Sequence, residues 1–292
     1  MKKFIIICDS GSDLPNDIVQ KYHNDLFVIP MELELDGINY MSYSDEREIT
    51  NKDFYQKLRE GGVSKTSQIN TYRFIEIFES FLKQNLDIIY LGFSSGLSGT
   101  FNSSLVAKDE LLNKYQDAKI TCIDSLCASL GEGLLCYLGL KQKENGASYE
   151  DVVKFYQNHL MHISHLFTVE DLKFLSRGGR ISKTTALIGT IASIKPLMHV
   201  TNEGKLTAYG KCIGRKNSLK KLVEKMVQTI DLNISDTIAI SHGDCIEDLE
   251  YVVSLIKEKI NPKEIITSYI GPTIGSHSGP GTIAIFYLGN QR

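Results

Sequence analysis

Hydroxyl-bearing side chains follow three of the strands that the sequence predicts, at the strand ends where open α/β sheets bind ligands. These segments are Asp9–Asp13, Phe93–Thr100 and Asp124-Ser125. The second segment mixes serines with glycines and leads into a predicted helix, so it offers hydroxyls together with free backbone N–H groups. Such groups bind anions. Ser98 or Thr100 is equally well an ordinary helix N-cap, and that alternative stays open.

Two further clusters carry groups of the same kind. Ser64–Gln68 links two predicted helices and supplies more hydroxyls. Gly271–Gly281 is dense in glycine, which lets a backbone approach a ligand closely, and it contains His277 among small residues. Because imidazole titrates near neutral pH, we expect His277 to be the functional histidine of this chain.

A competing interpretation is a serine esterase. Gly92–Gly96 matches the GxSxG nucleophile elbow, with Ser94 as the nucleophile after a strand and before a helix. Asp244 and His277 follow in the chain order that this class of hydrolase uses. No HGGG-type oxyanion segment precedes the pentapeptide, and the second half of the chain does not continue a parallel βα series. The esterase is therefore the weaker alternative.

Basic residues are concentrated in one segment of an otherwise acidic chain. The net charge is −3, yet Lys173–Lys225 holds 12 basic residues against two acidic ones. This suits an anionic group or an acidic partner surface, whereas a solvated helix face is the alternative for the lysines. We expect no nucleic-acid partner, because the chain is net acidic and no aromatic stacking motif interleaves its basic residues. The leading candidates are Arg177, Arg180, Arg215 and Lys216.

These groups need a scaffold, and the first half of the chain alternates strands with helices. Such alternation predicts parallel pairing in a doubly wound sheet. The predicted strands are Lys3–Cys8, Asp87–Leu91 and Lys119–Ile123, and Leu26–Leu35 is predicted to be extended, before a turn at Asp36-Gly37. The predicted helices are Leu14–His23, a helix from Thr50 to about Gly61, Thr71–Lys83 capped by Asn70, Ser98–Tyr115 and Cys127–Lys143. We expect an N-terminal αβα sandwich domain with a parallel sheet.

The pattern changes after a helix that Ser148 caps. An extended segment at His165–Val169 is followed by a short helix at Ser182–Ser193 and then by a hairpin. The hairpin strands are Met198–Thr201 and Leu206–Tyr209. A lysine-rich helix, a helix at Glu247–Lys259 and strands at Thr237–Ser241, Glu264–Tyr269 and Thr282–Tyr287 follow. The sequence predicts an α/β protein with an N-terminal domain at 1–155 and a C-terminal α+β domain at 156–292.

Composition limits the classes of protein to which this chain can belong. The 292 residues are 42% hydrophobic and 23% charged, which is typical of a folded soluble chain of about two domains. No apolar run approaches the roughly 20 residues of a membrane span, and the opening apolar segment is too short for a signal peptide. We expect a cytoplasmic protein, with transient membrane contact left open. Neither cysteines nor histidines show metal-ligand spacing, so we expect reduced cysteines and no metal.

Taken in chain order, these clusters resemble the DegV family. The resemblance covers nearly the whole chain, and it is specific although each motif alone is weak. One departure is Ile69, where the family pattern usually has proline after Thr-Ser-Gln. The matching segments are Asp9–Leu14, Lys65–Gln68, Leu91–Thr100, Asp124-Ser125, Val169–Leu172 and Arg177–Ile181, then Ile194–Pro196, Gly214-Arg215, His242–Asp244 and Gly271–Gly281.

The resemblance implies a long-chain fatty acid held between a parallel-sheet domain and an α+β domain. Family members that act with bacterial fatty acid kinase present the carboxylate of this acid for phosphorylation, a step in phospholipid metabolism. The kinase supplies the catalysis, so we expect a lipid carrier that is not an enzyme and has no cofactor besides the bound acid. A lipid-sensing regulator without a kinase partner is the third alternative.

Physical chemistry is compatible with such a ligand. A buried carboxylate needs several donors, and Thr66, Ser95 and His277 are the expected ones, with Ser94 and Ser98 beside them. The tail needs an apolar tunnel, where each buried methylene contributes about 0.8 kcal/mol. The candidates for the tunnel are Leu187, Ile188, Ile191, Ile194 and Met198, which are at least as well explained as ordinary core residues.

Overall fold

A computed structural model describes residues 3–181 and 193–290. The predicted helix at Ser182–Ser193 and the tail candidates Leu187, Ile188 and Ile191 therefore lie outside the described residues. No helix within the described part is long and apolar enough to cross a membrane.

The described elements alternate along the first half as the sequence predicts. The strands are β1 (Phe4–Asp9), β2 (Leu26–Ile29), β3 (Met31–Leu35), β4 (Ile38–Ser42), β5 (Ser64–Thr66), β6 (Asp87–Gly92), β7 (Ile120–Asp124), β8 (Ile163–Thr168), β9 (Ile194–Val200), β10 (Leu206–Ile213), β11 (Thr237–His242), β12 (Glu264–Tyr269) and β13 (Ile283–Leu288). The helices are α1 (Asn16–Lys21), α2 (Asn51–Arg59), α3 (Thr71–Leu82), α4 (Thr100–Lys114), α5 (Leu130–Glu144), α6 (Tyr149–His159), α7 (Lys173–Arg177), α8 (Arg215–Thr229), α9 (Ile246–Lys259) and α10 (Pro272–Ser278). Two short 3₁₀ helices lie at Ser10–Ser12 and Leu160–His162.

Four parallel strands form the first sheet, in the order β2-β1-β6-β7. Every residue of β1 is buried, because helices cover both faces of a parallel sheet. Alternate side chains of β1 point to opposite faces, so Ile5 and Ile7 pack with α3 and α4, whereas Ile6 and Cys8 pack with α5. The predicted αβα sandwich is confirmed.

The extended conformation predicted for Leu26–Leu35 is present, as two strands that belong to different sheets. The chain changes sheet at Pro30, which has no N–H group to donate to a ladder. After it, β3 forms the centre of a three-stranded antiparallel sheet with the order β4-β3-β5. The segment Ser64–Gln68 was expected to be only a linker, but Ser64–Thr66 is the third strand, with Thr66 opposite Leu33.

Six strands form the third sheet, in the order β10-β9-β8-β13-β11-β12. Only β11 and β12 run parallel within it, so the α+β character of the second half is confirmed. The predicted hairpin is present and longer than expected, since β9 pairs with β10 from Val200 opposite Leu206 to Ile194 opposite Ile213. Apolar residues of α8 and α9, including Leu222 and Val252, cover one face.

Helix α5 joins the two halves, because it packs against β1 and β6 of the first sheet and against β8, β11 and β13 of the third. A single buried cluster contains Ile6 of β1, Leu134 of α5 and Phe286 of β13. The described strands of the first two sheets precede residue 155 and those of the third follow it. The boundary at 155/156 stays a prediction, and the core is continuous across it.

Side chains cap the first turn of three helices at the positions that the sequence predicts. The backbone N–H of Asp53 donates to Thr50 at 3.0 Å, and that of Arg73 donates to Asn70 at 2.9 Å. Ser148 forms a reciprocal capping box with Asp151. These three caps were predicted and are confirmed.

Candidate functional site

A cavity of about 370 Å³ is lined by residues from both halves of the chain. This volume lies within the usual range of small-ligand pockets. Most of its wall is apolar and comes from the large sheets and their connections, including Phe93, Phe167, Val200, Leu206 and Phe286. Thr66, Ser98, Arg180 and His277 add polar groups to this lining. A largely apolar cavity with few polar groups suits an amphipathic ligand.

Thr66 and His277 meet although 211 residues separate them in the chain. The hydroxyl of Thr66 and Nε2 of His277 lie 2.7 Å apart and share a hydrogen bond. Pairing of β5 with β3 fixes Thr66, and α10 carries His277. A second bond of 2.6 Å between the hydroxyls of Ser64 and Ser276 attaches α10 to β5. The small sheet and α10 therefore form one rigid support for this pair.

The imidazole of His277 is held in its neutral form. Burial, together with the charges of Arg180 and Arg177, lowers the pKa of His277 to about 4. Its Nδ1 has no hydrogen-bond partner among the described residues. The ring packs against Gly178, where a Cβ atom would overlap Nδ1. A neutral imidazole accepts or donates a hydrogen bond without adding a charge to the site.

Ser98 lies at the cavity and also serves the start of α4. Its hydroxyl accepts a bond of 3.2 Å from the backbone N–H of Thr100 and lies 3.0 Å from the hydroxyl of Thr100. Thr100 in turn accepts from the backbone N–H of Ile69 at 3.2 Å. The N-cap of α4 is Gly99, so the alternative of Ser98 or Thr100 as the N-cap is wrong, although the Ser98 hydroxyl still bonds to the first residue of the helix.

The structure does not bring Ser94 or Ser95 to the cavity wall. Ser94 is fully buried, and its hydroxyl donates to the carbonyl of Gly204 in the β9–β10 turn at 2.8 Å. Ser95 is exposed, and its backbone N–H donates to Asp124 at 3.1 Å. The bond to Gly204 attaches this end of the β6–α4 connection to the β9–β10 turn.

The three residues of the esterase alternative each bond to another group. Ser94 donates to Gly204, and His277 bonds to Thr66. The guanidinium of Arg59 binds the carboxylate of Asp244 and, at 2.7 Å, its carbonyl. The described structure therefore contains no assembled Ser-His-Asp triad at these positions, which removes the geometric basis for the esterase.

The four basic candidates occupy different surroundings. Arg180 lines the cavity, its guanidinium donates to the carbonyl of Gly178, and burial lowers its pKa. Arg177 is exposed, with its guanidinium 5.3 Å from the centre of the Phe174 ring. The Gly178-Gly179 pair thus separates one arginine at the site from one at the surface.

Arg215 and Lys216 begin α8 and lie away from the cavity lining. Arg215 donates to Asp248 at 2.9 Å and to the carbonyl of Gly281 at 2.6 Å, so it ties α8 to α9 and to the glycine-rich loop. Lys216 is exposed, with its ammonium 5.9 Å from the ring of Tyr251. These contacts give Arg215 a structural role, because they hold the start of α8 against its neighbours.

The Asp9–Asp13 segment supports the site from outside the cavity. Burial raises the pKa of Asp9 to about 6, and its carboxyl accepts from Gly11, from Tyr90 at 3.0 Å and from the backbone of Phe93. Phe93 lines the cavity. The carboxyl of Asp13 accepts from the backbone of Gly271 at 2.9 Å, just before α10. Sequence reasoning missed this role, although acidic residues directly after an apolar strand indicate it.

Sequence reasoning also missed that Arg180 belongs to the cavity and that Thr273 and Ser278 line it. The sequence of a glycine-rich segment does not indicate the direction in which a hydroxyl side chain within it points. Across the part of the chain that the structure describes, no cluster of His, Cys, Asp and Glu is arranged to hold a metal ion.

This chain is similar over nearly its full length to proteins of one family. The chain matches the DegV family, described as uncharacterised proteins, over residues 3–290. A DegV domain-containing protein of Clostridium perfringens is 44% identical over 292 residues, covering 100% of this chain and 99% of the relative. A DegV family protein of Thermus thermophilus, described as binding fatty acid, superposes with a TM-score of 0.85 at 26% identity, over 99% of this chain and 100% of that one.

A second solved structure agrees with the first. The DegV lipid-binding protein of Thermotoga maritima superposes with a TM-score of 0.84 at 27% identity, covering 99% of both chains. Sequence and fold therefore agree over nearly the full length, and this chain belongs to the DegV family.

Proposed function

We propose that this protein binds a long-chain fatty acid in the cavity between its first and third sheets. The observation that carries the proposal is a largely apolar cavity whose wall includes the bonded pair of Thr66 and His277. The tail would lie along the apolar wall and the carboxylate beside this pair. The Thermus and Thermotoga relatives, described as binding fatty acid and lipid, support the same ligand class.

The segment from Thr282 into β13 indicates the length of tail that the cavity wall can accommodate. Thr282 bonds to the end of α10 beside His277, and Phe286 lies four residues further along; both line the cavity. At a rise of about 3.4 Å per residue, they are roughly 14 Å apart. In an extended acyl chain, bonds of about 1.5 Å zigzag at tetrahedral angles and advance about 1.25 Å each, so roughly eleven bonds cover this length. The wall therefore suits long acids better than short ones.

The polar end can stabilise a carboxylate in its charged form. Arg180 contributes a positive charge at the cavity wall, and hydroxyls of Thr66 and Ser98 contribute donors. A buried carboxylate without such partners would cost several kcal/mol or become protonated. His277, neutral at pH 7, adds a hydrogen bond without competing for the charge of the acid.

Binding is tested by titrating the delipidated protein with fatty acids of increasing length and with the matching alcohols. We expect Thr66→Val to weaken binding of the acid by about tenfold, which corresponds to about 1.4 kcal/mol, and to affect the alcohol less. Ser95→Ala is the matched control, because Ser95 is exposed outside the cavity wall.

Two outcomes are decisive for this test. Equal losses in Thr66→Val and Ser95→Ala would favour the sequence-based expectation that both residues hold the carboxylate. Saturable binding of no acid between about twelve and twenty carbons, the lengths that fit a pocket of this size, would contradict fatty-acid binding altogether. Mass spectrometry of lipid that copurifies with the protein identifies the chain length.

We further propose that the bound carboxylate is presented to a fatty acid kinase, with this protein contributing no catalytic group. The exposed Arg177, directly before the glycine pair that leads to Arg180, supports a docking role at the carboxylate end. Arg177→Ala should keep normal fatty-acid affinity and slow phosphoryl transfer in a salt-sensitive way. Normal transfer in this variant would contradict the docking role. Absence of any transfer in the wild type would favour the lipid-sensing regulator.

A further inference from the structure

The last residue of α10 carries a buried hydroxyl that the site described above does not use. Ser278 is 5% exposed and lines the cavity next to His277. Its Oγ has no hydrogen-bond partner among the described residues. Its carbonyl is engaged, since the hydroxyl of Thr282 donates to it at 3.0 Å. Only the side-chain hydroxyl of Ser278 is therefore uncommitted.

A neighbouring serine shows what this hydroxyl could have done instead. Ser276 lies two residues earlier in α10 and is 2% exposed. Its hydroxyl donates to the carbonyl of Pro272, four residues back, at 2.7 Å and bonds to Ser64 at 2.6 Å. Helical serines commonly satisfy themselves through such a backward bond. Ser278, on the same helix and equally buried, forms no corresponding bond within the described residues.

An unsatisfied buried hydroxyl costs free energy, so its presence calls for a physical explanation. Here the explanation is positional, because Ser278 belongs to the wall of the cavity at the end where Thr66 and His277 meet. Nδ1 of the adjacent His277 is also without a partner in the described part of the chain. Two neighbouring residues thus hold unused polar atoms at one end of an apolar cavity.

We propose that Ser278 is a further residue of the headgroup site and donates its hydroxyl hydrogen to the carboxylate of the bound fatty acid. This inference rests on the proposed function. A carboxylate offers about four acceptor positions on its two oxygens. The hydroxyl of Thr66 is shared with His277, and that of Ser98 is shared with the start of α4. The buried hydroxyl of Ser278 can donate to the acid without breaking an existing bond among the described residues.

The test compares Ser278→Ala with Ser276→Ala in the delipidated full chain. Ser278→Ala should weaken binding of a saturated fatty acid by about tenfold and leave binding of its methyl ester nearly unchanged. Its melting temperature without ligand should stay the same or rise, because no bond is lost. Ser276→Ala should lower the melting temperature and weaken binding of the acid and of its methyl ester alike, because its bonds to Ser64 and Pro272 hold α10 against β5.

The possible results separate this inference from the proposed function. Normal acid affinity in Ser278→Ala, with weakened binding in Thr66→Val, would overturn the role of Ser278 and leave the function standing. Equal losses for acid and ester in Ser278→Ala would also overturn it, since that pattern reports packing. No saturable binding by the wild type would overturn the proposed function itself. If Ser278→Ala does not fold, Ser278→Cys, a weaker donor of similar size, should bind the acid less tightly than the wild type.

Discussion

At the scale of single residues, His277 makes folding depend on pH. Burial and two arginines lower its pKa to about 4, so the unfolded chain binds a proton at this histidine more readily than the folded chain. Its contribution to stability is full above the ordinary histidine pKa of about 6.5 and is lost as the pH falls toward 4. We expect urea denaturation between about pH 4 and 7 to show a flatter profile for His277→Gln, by on the order of 3 kcal/mol.

Asp9 works in the opposite direction over part of this range. Because burial raises its pKa to about 6, its contribution to stability is full at low pH and is lost as the pH rises through 6. Wild type and His277→Gln share this background, so the difference between their profiles isolates the histidine. Parallel profiles would show that His277 titrates normally in the folded protein.

The glycine against His277 yields a second prediction. Gly178 has an ordinary backbone conformation with φ −72°, but a side chain there would overlap Nδ1 of the imidazole. Gly178→Ala should therefore displace His277 from Thr66 and weaken fatty-acid binding in a titration. Gly179→Ala is the control, because Gly179 has φ +71° and open space around it. We expect it to cost about 1 kcal/mol of folding stability and little affinity. Equal affinity of Gly178→Ala and wild type would exclude His277 from the headgroup site.

Residue types, together with the family resemblance, singled out part of this cavity wall, and its role in binding a carboxylate stays a prediction. Thr66, Ser98 and His277 were singled out and the structure brings them to one cavity. The adjacent Ser94 and Ser95 were indistinguishable from Ser98 in sequence. What separates them is the bond from Ser94 to Gly204, which lies 110 residues away. A single sequence holds no signal for such a contact, since it depends on where the β9–β10 hairpin docks.

At the scale of elements, α5 depends on glycine for close packing. A Cβ atom at Gly131 would overlap the imidazole of His165 on β8. Alanine favours a helix over glycine by about 1 kcal/mol, yet we expect Gly131→Ala to destabilise the protein because the helix must move away from the third sheet. Urea denaturation measures the change. Gly146→Ala, at a φ of +89° with open space, should cost only the backbone strain of about 1 kcal/mol. A Gly131→Ala variant as stable as the wild type would contradict the close approach.

The elements themselves were predictable where local signals decide them. Helix caps at Thr50, Asn70 and Ser148 and the buried strands of the first sheet follow from residue type and spacing. The three-stranded sheet was not foreseen. Its strand β5 is only three residues long and pairs with β3 across about 30 residues of chain. Short strands of this kind form because a partner is available, and their sequence carries little β-propensity of its own.

At the scale of the whole molecule, the two halves share one core. A continuous apolar cluster runs from β1 through α5 to β13, and the bonds of Asp13 to Gly271 and Thr66 to His277 cross the same interface. We expect one cooperative unfolding transition in calorimetry, with equal calorimetric and van't Hoff enthalpies. Added fatty acid should shift this single transition upward. Two separate transitions would show that the halves unfold independently and would support a boundary between two domains at 155/156.

The bond between Thr66 and His277 also bears on biosynthesis. The ribosome adds 211 residues between these two partners, which takes roughly 10 to 40 s at about 5–20 residues per second. During that interval the nascent chain has made one side of the headgroup site and lacks the other. A headgroup site built on this pair, as proposed above, therefore cannot form until the ribosome has added His277.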